Sequence, residues 1–114
     1  MKVRWALHHH TESRTKADHF DLMIEDGDSL ATFSFTENPL QCKGIRGTRI
    51  HDHDPGFLES GGKLSEGNGR CELVESGECV SEDLDGTTIR AILHTSCGQQ
   101  ELCCKGGEAT LRTM

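Results

Sequence analysis

The sequence predicts an all-β fold, a small, mostly antiparallel β-barrel built from one domain over residues 1–114. Three observations lead there. Short segments in which apolar and polar residues alternate recur along the chain, separated by turn signals at near-regular spacing, the pattern of a barrel or a sandwich. Thirteen glycines among 114 residues mark frequent turns rather than long helices. No segment carries a helical period beyond one turn. With 33% hydrophobic residues, four Phe, one Trp and no Tyr, the chain can bury one lean core.

Residues 2–10 open as a strand, with Val3, Trp5 and Leu7 on one face and Arg4, Ala6, His8 and His10 on the other. Residues 11–18 are polar throughout and form a loop. Residues 19–25 make the second strand, in which His19, Asp21 and Met23 share one face and Phe20, Leu22 and Ile24 the other. Asp26-Gly27 is the strongest hairpin signal in the chain and leads into residues 29–35, where Ala31, Phe33 and Phe35 supply an apolar face. Glu37-Asn38-Pro39 closes that strand, because proline cannot continue a central one. Regular pattern then fades over residues 40–54, which read as a long connection or short edge strands. After the glycines at 61, 62, 67 and 69, strands are expected at 70–74 and 78–80, with a turn at Ser76-Gly77 between them. Asp85-Gly86 precedes a β-branched strand at 87–94, and residues 99–105 lead through Gly106-Gly107 to a last strand at 108–112.

Charge narrows the range of functions. A net charge of −7 argues against a sequence-independent coat on DNA, which needs Lys and Arg to neutralise phosphates. The acidity belongs to the second half, since residues 1–50 hold seven basic and seven acidic side chains and residues 51–114 hold five and twelve. Lys43, Arg46 and Arg49 form a basic run without an acid inside it, open to a nucleic-acid end or simply to solvent. No window approaches eighteen apolar residues and the start lacks the apolar run of an export signal, so the expectation is a cytoplasmic protein with no membrane association. In that compartment the six cysteines are expected to be free thiols, and with no C-x-x-C pair they offer weak support for a metal site.

The chemistry concentrates in residues 6–25, ALHHHTESRTKADHFDLMIE. A histidine and a carboxylate at i and i+2 of a strand, as His19 and Asp21 are, project from the same face. Imidazole and carboxylate together suit a borderline divalent cation such as Mn2+ or Zn2+, and the run His8, His9, His10 can supply a third ligand from the neighbouring strand. Three protein ligands would leave positions for substrate or water.

The HH-T pattern followed by HFDLMIEDGD resembles the N-terminal phosphoesterase domain of bacterial DNA ligase D, in its small free-standing form. The stretch DHDPGFLESGGKLSEGNG is similar to a second run of that family, and the two motifs in the same order cover about half the chain. The resemblance implies a β-barrel that acts as a Mn2+-dependent 3′-phosphoesterase, removing a 3′-terminal ribonucleoside and then the 3′-phosphate from DNA or DNA–RNA ends during repair. It implies His10, His19 and Asp21 as metal ligands, with His9 the second choice for His10. His53 would contact the phosphate or protonate a leaving oxygen, and Arg46 or Arg49 would offset phosphoryl charge. A monomer is expected, working with a separately encoded ligase or polymerase. One position departs from the family. Where its members carry an arginine two residues past the aspartate, this chain has Met23, so activity should be weak unless Arg14, Arg46 or Arg49 fills the place. The competing expectation is a metal-binding or nucleic-acid-end-binding module without turnover.

Overall fold

The computed structural model describes residues 2–41, 44–58, 62–63, 69–83 and 88–114. They form nine strands: β1 Lys2–Thr11, β2 His19–Asp26, β3 Ser29–Phe35, β4 Ile45–His53, β5 Gly62–Lys63, β6 Arg70–Asp83, β7 Thr88–Thr95, β8 Gly98–Lys105 and β9 Glu108–Thr113. A single 3-10 turn, Pro55–Leu58, follows β4. Every pairing is antiparallel, in the order β1-β2-β3-β4-β9-β8-β7-β6, and β6 pairs back onto β1 to close an eight-stranded barrel, with the short β5 added beside β6. Closure removes most sheet edge, which suits a chain with too little apolar sequence for a second sheet.

The alternating strands put their apolar residues inside the barrel. Trp5, Leu7, Leu22, Ile24, Phe33, Phe35, Leu93, Leu102 and Leu111 are buried there together. At roughly 1.5–3 kcal/mol per fully buried large apolar side chain, this interior is the main source of folding free energy. A smaller cluster of Ala6, Met23, Leu30 and Leu58, with Phe57 against it, lies on the opposite face of β1, β2 and β3. The 3-10 turn therefore presses Phe57 and Leu58 onto the outside of the barrel, and that covered face is where the polar residues of β1 and β2 project.

Two expectations are corrected. Residues 45–53 form a nine-residue strand rather than a connection or short edge strands. β4 is held by its neighbours β3 and β9 more than by its own pattern. Gly47 is the enabling residue: a Cβ there would lie 2.6 Å from the Phe35 ring and 2.6 Å from the Ser34 carbonyl. Likewise Ser76-Gly77 is no turn but the middle of the fourteen-residue β6. Gly77 sits where a Cβ would be 3.0 Å from the indole nitrogen of Trp5 and 2.9 Å from the His94 carbonyl, so glycine here marks close backbone approach. The register slips between Leu7 and His8, which pair with Glu75 and Leu73, leaving Val74 as a bulge that bends the long strand. The Asp85-Gly86 turn, Lys43, Cys42 and most of the glycine-rich run at 59–68 lie outside the described residues. The five described cysteines are free thiols, with Cys104 in the core and Cys103 on the outside near Glu101. No described helix is long and apolar enough to cross a membrane.

Candidate metal centre

The β1–β2 register aligns His10 with His19 and His8 with Asp21. Strand alternation then places all four side chains on the face turned away from the barrel core. His10, His19 and Asp21 converge there, with one ligand atom from each lying within 4.8 Å of the others. His10 Nδ1 is 3.1 Å from His19 Nε2, His19 Nε2 is 3.4 Å from Asp21 Oδ1, and His10 Nδ1 is 4.0 Å from Asp21 Oδ2.

Burial decides what such a cluster can do. Asp21 is 2% exposed and His19 8%, so the carboxylate is held out of water, and among the described residues its Oδ1 has no hydrogen-bond partner. An orphaned buried carboxylate oxygen is costly, and beside two imidazole nitrogens it fits a divalent cation. The histidine tautomer agrees. His19 Nδ1 faces the Ala17 carbonyl at 2.9 Å and must donate to it, which leaves Nε2 with a bare lone pair directed into the cluster. His9 is excluded by alternation: it stacks on Phe20 on the other face, ring centroids 4.2 Å apart.

His53 enters the same face from β4. Its Nδ1 lies 2.9 Å from Thr32 Oγ1 and 3.1 Å from the His51 carbonyl. Because the Thr32 hydroxyl donates to the Leu30 carbonyl, His53 Nδ1 donates to both oxygens and Nε2 keeps the lone pair. Burial lowers the His53 pKa below the ordinary histidine value, opposed by the nearby Asp21 carboxylate and reinforced by His51 and His8. The edge of the Phe57 ring packs between His53 and His8, 5.8 Å from each centroid to centroid.

The arginines are placed less favourably. Thr48 opposes Ser34, which opposes Asp21, so Arg46 shares the outer face, yet it is 81% exposed and paired with Glu108 at 3.7 Å. Arg49 opposes Phe33, a core residue, and lies 3.9 Å from Asp52. Met23 does share the face of His19 and Asp21, but it is 0% exposed beneath Leu58 and Phe57. Arg14 stands exposed in the loop between the two histidine strands.

Phe57, the aromatic of the motif that holds His53, fixes His8 through its carbonyl. Two residues of the site carried little sequence signal, of which Thr32 orients His53. Cys71, on β6 directly opposite His10, is buried, and burial together with the Asp21 charge pushes its thiol up to about 11. Only barrel closure brings it there. The chain matches no family model and no curated protein.

Proposed function

We propose that this protein is a metal-dependent 3′-phosphoesterase that acts on DNA or DNA–RNA ends. The observation that carries the reading is the convergence of His10, His19 and Asp21 on one buried face, with the His19 Nε2 lone pair turned toward the other two side chains and Asp21 Oδ1 without a hydrogen-bond partner among the described residues. His10, His19 and Asp21 would hold a divalent cation, for which Mn2+ follows from the family resemblance and Zn2+ from the donor set alone. Such an ion supplies Lewis-acid polarisation of a phosphoryl oxygen and a water of lowered pKa. His53, with Nε2 bare and Nδ1 anchored on Thr32 and His51, can hold or deliver a proton at the leaving oxygen. Arg46, on this face, and Arg14, exposed in the loop between β1 and β2, are cations from which a phosphate could draw charge compensation, and Arg49 would have to leave Asp52 to join them.

A second reading is favoured by one feature. Met23 is sealed under the 3-10 turn, so the face has no fixed cation where the resembled family keeps an arginine. A module that binds metal or a nucleic-acid end without turnover would tolerate that. The deciding experiment incubates a primer bearing a 3′-phosphate or a single 3′-ribonucleotide with the protein, with and without Mn2+, and resolves the products on a gel. Mn2+-dependent shortening or dephosphorylation supports the enzyme. Mn2+ binding with intact ends supports the module.

A further inference from the structure

His8 is fully buried on the triad's face but lies outside its cluster of ligand atoms. Its Nε2 faces the Phe57 carbonyl oxygen, and since a carbonyl only accepts, Nε2 carries the hydrogen. In the neutral ring Nδ1 is then a bare lone pair, and among the described residues it has no hydrogen-bond partner. Directly opposite, on the same face, stands Asp21, whose Oδ1 is also buried and without a hydrogen-bond partner among the described residues, and whose carboxylate keeps lone pairs to spare when one is given to a cation. Two acceptors cannot satisfy one another. A water molecule can satisfy both, because it brings two hydrogens and needs only a few polar partners to be held in a buried place.

The geometry points to His8 as a positioning residue for the metal centre, holding a water that donates one hydrogen to His8 Nδ1 and the other to the Asp21 carboxylate. This rests on the metal reading given above. The water would fix the rotation of the carboxylate that Asp21 presents to His10 and His19, as outer partners do for metal-ligating side chains. The same ring ties the centre to the 3-10 turn through Phe57. A leucine or phenylalanine could fill the position of His8 in the barrel wall, but neither can accept a hydrogen bond, so the imidazole has a role beyond packing.

The test measures Mn2+ affinity by calorimetry and counts coordinated nitrogens by pulsed paramagnetic resonance, on folded protein checked by circular dichroism. His8→Phe should weaken Mn2+ binding about 10- to 100-fold, the usual effect of losing an outer partner. His8→Gln should recover most of the affinity, since its amide can donate to Phe57 and accept from the water. If phenylalanine overfills the site and the chain does not fold, His8→Leu poses the same question. Wild type should show two coordinated nitrogens, from His10 and His19. A phenylalanine or leucine variant that binds like wild type overturns the inference, as does a glutamine variant no better than phenylalanine. A third coordinated nitrogen would make His8 a ligand and overturn it too. If wild type itself takes up neither Mn2+ nor Zn2+, it is the metal reading that fails, and the role of His8 falls with it.

Discussion

The rings of His10 and His19 meet edge to face, centroids 4.6 Å apart, with Nδ1 of the first 3.1 Å from Nε2 of the second. Because His19 Nδ1 is committed as donor to Ala17, its Nε2 can only accept, so the hydrogen between the rings sits on His10 Nδ1. A cation held by both nitrogens must take the place of that hydrogen, which a neutral His10 ring accommodates by a change of tautomer that carries it on Nε2. Metal uptake at about pH 8 should therefore release no proton, whereas in acid the ligating imidazoles must first be neutral and binding should weaken. Calorimetry of Mn2+ binding at about pH 8 in two buffers of different ionisation enthalpy should give equal heats, and unequal heats would count against this arrangement.

Alanine at His10, His19 or Asp21 should each remove most Mn2+ or Zn2+ binding and leave the barrel folded, because all three project away from the core cluster. Asp21→Asn is the sharper variant. It keeps the shape, lowers metal affinity and relieves a buried carboxylate, so the metal-free melting temperature should stay level or rise. A melting temperature that falls steeply in the metal-free variant would mean that Asp21 holds the fold together.

Met23→Arg, which the sequence alone would offer as a way to restore a phosphate-binding arginine, should instead destabilise the protein. Met23 packs with Ala6, Leu30 and Leu58 at 0% exposure, and a guanidinium there would displace Leu58 or be buried against an apolar wall. A loss of roughly 3–5 kcal/mol is expected, with no gain in phosphoesterase turnover. A variant that melts like wild type and turns over faster would show that the 3-10 turn lifts off this face.

Strand alternation made β1, β2 and β3 legible in the sequence, since each sets an apolar face against a polar one, and consecutive strands joined by short connections pair. Period two also put His19 and Asp21 on one face and His8 and His10 on a face of the neighbouring strand; the choice of His10 over His8 came from the family resemblance, and the strand register brings His10 beside His19. β4 was not legible because Gly47 and Arg49 lie on its core-side face and Thr48 and Ile50 on the other, without contrast between them. Nor was Ser76-Gly77, where glycine serves the Trp5 contact rather than a turn. The burial of Met23 and the approach of Cys71 to His10 depend on segments more than thirty residues away in sequence, which no local pattern encodes.

Gly47→Ala should test the corrected β4. The new Cβ would meet the Ser34 carbonyl, which is backbone and cannot swing aside, as well as the Phe35 ring. Overpacking of this kind costs roughly 1–3 kcal/mol, and the backbone clash puts this case at the upper end. A denaturant titration showing unchanged midpoint would mean that residues 45–53 are not a central strand between β3 and β9.

His53 gives the pH prediction. Burial, only partly offset by the Asp21 carboxylate, lowers its folded pKa, so the folded chain takes up this proton less readily than the unfolded one. Above about pH 6.5 both states hold His53 neutral and it contributes nothing to pH dependence. As pH falls through that value the unfolded chain is protonated first, stability drops, and the loss becomes constant once the folded pKa is passed. Wild type should therefore lose melting temperature more steeply between about pH 6.5 and 5 than His53→Gln does, the variant cancelling the contributions of the other histidines. The same lowered pKa keeps Nε2 bare under mildly acidic conditions, so if His53 first accepts the proton that it later delivers, the acid limb of the 3′-phosphoesterase rate should lie below about pH 6.5. His53→Gln should keep Mn2+ affinity, lose most turnover and lose that limb. Parallel melting curves for wild type and variant would remove His53 from the linkage, and a variant that loses Mn2+ would turn His53 into a ligand.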